Sequence, residues 1–335
     1  MKALALISGG LDSLLAACLI KEQGVEAIPI NFLIPFCHNE KKAITSGSNN
    51  ALDKIADSLG QDLKRIDIRN EFIGLLEKPR YGFGANMNPC IDCKILMFTK
   101  AKELMKELGA SFIVSGEVLG QRPMSQHRQA LELIEKKSGL EGLLLRPLSA
   151  KLLLETLPEK EGWINREKLL NFGGRTRRPQ MELANRFNIK DYQNPAGGCL
   201  LTDPQFSRRL KDLIQHRQLG LENIELLKLG RHFRLEDQAK LVVGRDEKEN
   251  NELLGLTKEG DYLFMPPLEV AGPTCLGRGE FSRELLELAG SIACRYCDSN
   301  GSPAMTMGYR RIPEQEEKII EARPIEEDKL KALRI

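Results

Sequence analysis

An apolar run from Lys2 to Ile7 breaks into Ser8-Gly9-Gly10-Leu11-Asp12-Ser13, and helical periodicity begins at once. Two glycines let backbone amides approach an anion without interference from a Cβ. The helix amino terminus adds unsatisfied N–H groups and the positive end of its dipole. Ser8, Gly9, Gly10 and Ser13 are therefore candidate phosphate-binding residues, with the two hydroxyls as donors. A carboxylate faces a phosphate favourably only across a cation, which makes Asp12 the candidate Mg2+ ligand. The same letters could serve as a helix cap on a glycine turn. The G-x-x-x-x-G-K-[ST] pattern of a γ-phosphate-transferring loop is absent from them.

This opening unit is the first of a series. Strand patterns at Lys2 to Ile7, Glu26 to Leu33, Leu63 to Ile68, Ser111 to Ser115 and Leu143 to Leu148 alternate with helical patterns at Asp12 to Gln23, Asn49 to Leu59 and Lys94 to Leu108. Such alternation implies right-handed crossovers and an α/β fold, a parallel sheet with helices on both faces. Ligands then lie beyond the carboxyl ends of the strands, in the loops after Ile7, Leu33, Ile68 and Ser115. At 335 residues the chain exceeds the usual size of one domain. We expect a catalytic domain over residues 1–203, of which 149–203 is an irregular extension. A smaller α+β domain is expected over 204–335, with a helix at Gln205 to Arg217, strands at Arg231 to Leu235, Lys240 to Val243 and Tyr262 to Met265, a helix from Ser282 and a charged, solvated tail from Pro313.

Apolar residues make up 41 % and charged residues 29 %, which excludes a disordered chain. The net charge of +2 excludes a global basic field, so a nucleic-acid surface would be a local patch. The apolar start is too short for a signal peptide, and no run reaches the length of a membrane span. The expectation is a cytoplasmic protein without membrane contact. In that reducing compartment the eight cysteines read as metal ligands or reactive thiols rather than disulfides.

Asn88-Pro89-Cys90-Ile91-Asp92-Cys93 stands just before a helical pattern, and Cys199 closes the phrase Asn194-Pro195-Ala196-Gly197-Gly198-Cys199. Cysteines three apart can chelate one metal centre, and a third from a distant turn can complete a three-thiolate face. A [4Fe-4S] cluster held in this way by Cys90, Cys93 and Cys199 would keep one iron open for hydrosulfide. Two other readings stay open: a zinc joined by His38 or His127, and a metal-free relay in which Cys93 and Cys199 act as persulfide carrier and resolving thiol. Cys294 and Cys297, with Cys275 before them, are either a second metal site or core thiols. Cys18 reads as core, and the Cys37-His38 pair is a weak signal.

The phosphate loop at its strand-to-helix position, together with both cysteine phrases, resembles the PP-loop ATP pyrophosphatases (adenine nucleotide alpha hydrolase-like). Within them it is similar to the tRNA 2-thiouridine and 4-thiouridine synthases, over roughly residues 1–205. The resemblance implies adenylation of a tRNA uridine carbonyl by ATP with Mg2+, then sulfur insertion, with Cys93, Cys199 and Asp12 catalytic. Cys90 at the first position of the pair marks the iron-sulfur variant. Gly116, in Ser115-Gly116-Glu117, is carried over as a nucleotide-site residue. The implied partners are tRNA and a sulfur donor, either hydrosulfide or a carrier protein, and a homodimer is left open. Rival readings are a PP-loop sulfurtransferase for a small cofactor precursor and a nucleotide-sensing RNA-binding adaptor.

Two stretches bear on RNA. Arg166, Lys168, Arg175, Arg177 and Arg178 flank Gly173-Gly174, a flexible hinge suited to tracking phosphates unless it is only a solvated loop. Arg122 is either a further phosphate contact or a surface arginine before a proline turn. Gly230-Arg231-His232-Phe233-Arg234 and the segment from Val243 to Asn250 resemble a module of RNA-binding proteins in ribosome quality control.

Overall fold

The computed structural model describes residues 1–36, 52, 59–189, 199–298 and 303–335. The chain divides into two compact units, Met1–Thr202 and Asp203–Ile335.

In the first unit a five-stranded parallel sheet runs in the order β3-β2-β1-β4-β5. Its strands are β1 (Lys2–Leu6), β2 (Glu26–Leu33), β3 (Lys64–Asp67), β4 (Phe112–Ser115) and β5 (Leu144–Leu145). Its longer helices among the described residues are α1 (Leu11–Lys21), α2 (Arg69–Glu77), α3 (Cys90–Glu107), α4 (Arg128–Ser138) and α5 (Arg178–Arg186). Alternate residues of β1 point to opposite faces, so the strand is covered on both. Ala3 packs with Leu11 and Leu15 of α1 and Leu183 of α5. Leu4 packs with Phe98 and Ala101 of α3 and Ile134 of α4. Leu6 pairs with Ile30 of β2 on one side and Ser115 of β4 on the other. The chain leaves β1 for β2 in one direction and reaches β4 in the other, so the crevice beyond β1 and β4 is the switch point of the sheet. Asn31 of β2 anchors the exit from β1, its Nδ2 donating to the Ile7 carbonyl at 2.7 Å in the core.

Three sequence expectations change in this unit. The helix expected from Lys94 starts at Cys90, so both cysteines of the pair lie in its first turns. Pro89 at the N-cap and the polar Asp92 hid that start from a reading by apolar spacing. The extension contains a helix, α5, whose Leu183 and Ala184 join the core. The Gly173-Gly174 hinge is pinned, because the Gly174 N–H donates to the Leu119 carbonyl at 2.7 Å and Ser149 bridges the Leu119 N–H and the Phe172 carbonyl. The helix expected over Asn49 to Leu59, and the Cys37-His38 and Asn194-to-Gly198 phrases, fall largely or wholly outside the described residues.

The second unit is a six-stranded antiparallel sheet in the order β11-β10-β8-β9-β7-β6. Its strands are β6 (Arg231–Glu236), β7 (Ala239–Val243), β8 (Tyr262–Met265), β9 (Cys275–Gly279), β10 (Met305–Arg311) and β11 (Lys318–Ala322). The helices α6 (Pro204–Gln215), α7 (Leu221–Leu227), α8 (Glu247–Leu254), α9 (Arg283–Cys294) and α10 (Glu327–Leu333) accompany it. Leu241, Phe264 and Cys275 pack with Leu285, Ala289 and Ile292 of α9. Val242, Leu263 and Leu276 pack on the other face with Leu226 of α7 and Leu253 of α8. The charged tail is folded rather than solvated: β11 pairs with β10, and Leu330 of α10 enters the core. Its few apolar residues suffice because β10 supplies the register and the backbone partners.

Candidate active site

Gly9 takes φ 83°, a left-handed conformation that favours glycine, and Gly10 is the extended N-cap of α1. Ser13 closes the loop on itself. Its Oγ donates to the Gly10 carbonyl at 2.8 Å and accepts the Ser8 N–H at 3.2 Å. The Ser8 hydroxyl lies 3.3 Å from that of Ser13 and accepts the Gly10 N–H at 3.4 Å. The two hydroxyls expected to meet phosphate therefore shape the loop in this structure and engage the Ser8 and Gly10 amides, leaving the start of α1 as an anion seat. Gly116 lies against this loop. A Cβ there would sit 2.4 Å from the Ser13 nitrogen and 2.6 Å from the Asp12 carbonyl oxygen, so only glycine lets the end of β4 approach.

Asp12 is held from one side. Gln121 Nε2 donates to its Oδ2 at 2.7 Å, and Gln180 Nε2 donates to Gln121 Oε1 at 3.1 Å. Asp12 Oδ1 is buried without a hydrogen-bond partner. A carboxylate oxygen in that state is costly unless something positive completes it, so Asp12 fits the role of a ligand to a divalent cation.

The cysteine-bearing segments lie side by side. The Met87 N–H donates to the Leu201 carbonyl at 3.1 Å and Asn86 Nδ2 to that of Thr202 at 2.7 Å. Cys90 Sγ donates to the buried Ser125 Oγ at 3.0 Å. Burial pushes the Cys199 thiol up to about 11; the Leu201 N–H and Arg122 oppose that rise, and Cys90 adds to it, so Cys90 and Cys199 sense each other. Arg122 is thus within electrostatic reach of the Cys199 thiol. Cys93 lies one turn along α3 from Cys90, at the helix end where unsatisfied amides favour negative charge. Among the described residues no three or more His, Cys, Asp and Glu side chains form a ready metal cage, so the three thiols are not gathered into one.

Sequence reading missed Gln121, Gln180 and Ser125 as partners of the site, along with the charge cluster behind it. Glu117, next to Gly116, is buried against Arg146 Nε at 3.0 Å and Lys94 Nζ at 3.5 Å. Burial pushes its carboxyl up, but Lys94 and Arg146 outweigh burial and hold it below the usual carboxylate range. These residues are far apart in the chain, and no local spacing could have paired them. In the basic stretch, Arg166 is tied to Glu159 and Arg178 to Glu182, while Arg175 is exposed. In the second unit Cys275 and Cys294 are core residues and Cys297 is half-buried, and burial raises all three thiols. No helix among the described residues is long and apolar enough to cross a membrane.

Residues 1–151 match the family model described as thiamine biosynthesis protein (ThiI), and residues 230–334 match that described as NFACT protein RNA binding domain. The chain is similar to the tRNA-specific 2-thiouridylase MnmA of Petrotoga mobilis, 37 % identical over 135 residues that cover 35 % of each chain. It is also similar to the probable tRNA sulfurtransferase of Methanosarcina acetivorans, 33 % identical over 125 residues that cover 35 % of this chain and 27 % of the relative. A solved 4-thiouridine synthetase–RNA complex with bound ATP aligns at 21 % identity and TM-score 0.37, covering 68 % of this chain and 52 % of that one. The chain thus spans about a third of the length of these curated relatives. The match of residues 1–151, which hold the phosphate loop, Asp12, Cys90 and Cys93, is thus a similarity to one segment of proteins named as tRNA-thiolating.

Proposed function

We propose that this chain is a cytoplasmic tRNA uridine sulfurtransferase that adenylates a uridine carbonyl with ATP and replaces its oxygen with sulfur. The observation that carries the reading is the loop of residues 120–126. Through Gln121 it touches the carboxylate of the phosphate site, and through Ser125 it touches the Cys90 thiol. One short segment therefore serves both an anion seat and a thiol pair, as a reaction that couples phosphate activation to sulfur chemistry requires.

In this mechanism the amides at the start of α1 hold the phosphates, and Asp12 is the residue that would hold Mg2+. The uridine carbonyl oxygen attacks the α-phosphorus and pyrophosphate departs. Sulfur then adds to the activated carbon and AMP leaves with the original oxygen. Cys90, Cys93 and Cys199 are the residues that would hold a [4Fe-4S] cluster; all three are soft thiolate donors, and two share the first turns of one helix. When bound, such a cluster supplies an iron free of protein thiolate where hydrosulfide can sit. The second unit, with its match to an RNA-binding model, would grip the tRNA.

The test combines composition with turnover. Protein purified without oxygen should hold about four irons per chain with equal sulfide, and Cys90→Ala, Cys93→Ala and Cys199→Ala should each lose them. With tRNA, ATP, Mg2+ and sulfide, thiouridine should accumulate in digested tRNA in step with AMP released into solution. Zinc or no metal would overturn the cluster and shift the sulfur step to a Cys93/Cys199 persulfide relay. ATP turnover without tRNA binding would shift the substrate to a small molecule.

A further inference from the structure

Gln121 is engaged through both ends of its amide, an arrangement to which the proposed reaction assigns no role of its own. It meets the candidate cation ligand through its amide nitrogen, and its amide oxygen accepts from Gln180, which is 1 % exposed. A glutamine amide can point either way, and the wrong way would set oxygen against the Asp12 carboxylate. The donor from Gln180 selects one orientation, with nitrogen toward Asp12. Oδ2 is thereby satisfied and Oδ1 stays buried without a partner. Gln180 leaves its own Oε1 buried and unpartnered as well, so the relay does not serve simply to satisfy polar groups.

We propose that Gln121, locked by Gln180, is a positioning residue that fixes the Asp12 carboxylate so that Oδ1 is the oxygen left for a cation. The inference rests on the PP-loop reading of the site. Gln121 acts through Asp12, so its effect passes through the affinity and geometry of the metal. Without it the carboxylate is free to rotate, or to meet the cation with both oxygens. Partners of metal ligands in other proteins typically change metal affinity by about 10- to 100-fold when removed.

The experiment uses the full chain with Mn2+ as the probe and α,β-methylene-ATP, which cannot be cleaved between its α and β phosphates. Free Mn2+ is followed by electron paramagnetic resonance in wild type, Gln121→Met, Gln180→Met and Asp12→Asn. Expected is an about tenfold or greater weakening of Mn2+ binding in Gln121→Met, a smaller one in Gln180→Met and the largest in Asp12→Asn, with melting temperatures close to wild type in the two methionine variants. AMP formation in the methionine variants should need more Mg2+ and recover most of its kcat at saturating Mg2+. Wild-type Mn2+ affinity in both methionine variants would overturn the positioning role and leave the PP-loop reading standing. Failure of the wild type itself to bind Mn2+ with the nucleotide would overturn both. Should Gln121→Met not fold, Gln180→Met decides alone, since it leaves Gln121 in place and removes only the lock.

Discussion

Gly116 shows how one missing Cβ can hold a site together. The end of β4 touches the backbone of Asp12 and Ser13 closely enough that a methyl group would force one of them away. Overpacking of this kind costs about 1–3 kcal/mol, and here the strain falls on the phosphate loop. Gly116→Ala should therefore weaken binding of an ATP analogue at least about tenfold, the equivalent of ~1.4 kcal/mol, as read by calorimetry. Unchanged affinity would show that the loop gives way without penalty. Cys199 allows a second test at this scale. Its thiol is pushed to about 11 by burial, against an ordinary value of 9.0. Only the thiolate is alkylated, so in metal-free protein the rate of iodoacetamide labelling at Cys199, followed by peptide mass spectrometry, should still be climbing at about pH 10, where an ordinary thiol has levelled off.

At the scale of elements, α3 depends on a residue between its two cysteines. Asp92 is buried, and its carboxylate accepts the Arg80 N–H at 3.0 Å and the Tyr81 N–H at 3.1 Å. It thereby ties the segment before the helix to the helix's first turn. Asp92→Ala strands two backbone donors and should cost about 1–3 kcal/mol in denaturant unfolding, with faster labelling of Cys90 as that segment loosens. In the second unit, β11 and α10 complete a sheet edge and a core. Leu330 and Ala322 are buried, and the Ile335 N–H donates to the His232 carbonyl at 3.0 Å. A chain ending at Arg311 should lose the cooperative melting of that unit, as seen by calorimetry and hydrogen exchange. Retained protection of β6 and β7 would contradict this.

For the whole molecule, the second unit carries a pH dependence of its own. Lys240 is 5 % exposed and ion-paired with Asp212 at 3.2 Å. Burial lowers its ammonium from 10.5 to about 8; Asp212 opposes the shift, and Arg234 and Arg209 reinforce it. Between those values the folded chain holds fewer protons than the unfolded one, so this residue's contribution to stability rises with pH from about 8 to 10.5 and is lost as pH falls through about 8. Lys240→Met leaves Asp212 its Arg234 partner, and the variant should lack this rise when unfolding free energies are compared across that range. The raised thiols of Cys275 and Cys297 act in the opposite direction above pH 9.0. They do so in both proteins and cancel in the difference. Parallel curves for wild type and variant would refute the assignment.

The sequence alone determined the strand–loop–helix opening, the parallel α/β sheet and the pairing of a phosphate loop with two cysteine phrases. Each rests on local spacing: period 2 in the strands, glycines at a turn, and cysteines three apart. It misplaced the start of α3, where Pro89 and Asp92 interrupt the apolar signal, and it read β11 and α10 as solvated because charged residues outnumber apolar ones over the whole tail from Pro313. Only the tertiary structure brought Gln121 and Gln180 to Asp12, Ser125 to Cys90, and Arg146 and Lys94 to Glu117. Those contacts join residues with no shared period, and their worth comes from burial. A polar group removed from water must find its partner wherever the fold places one, and chain spacing carries no record of that place.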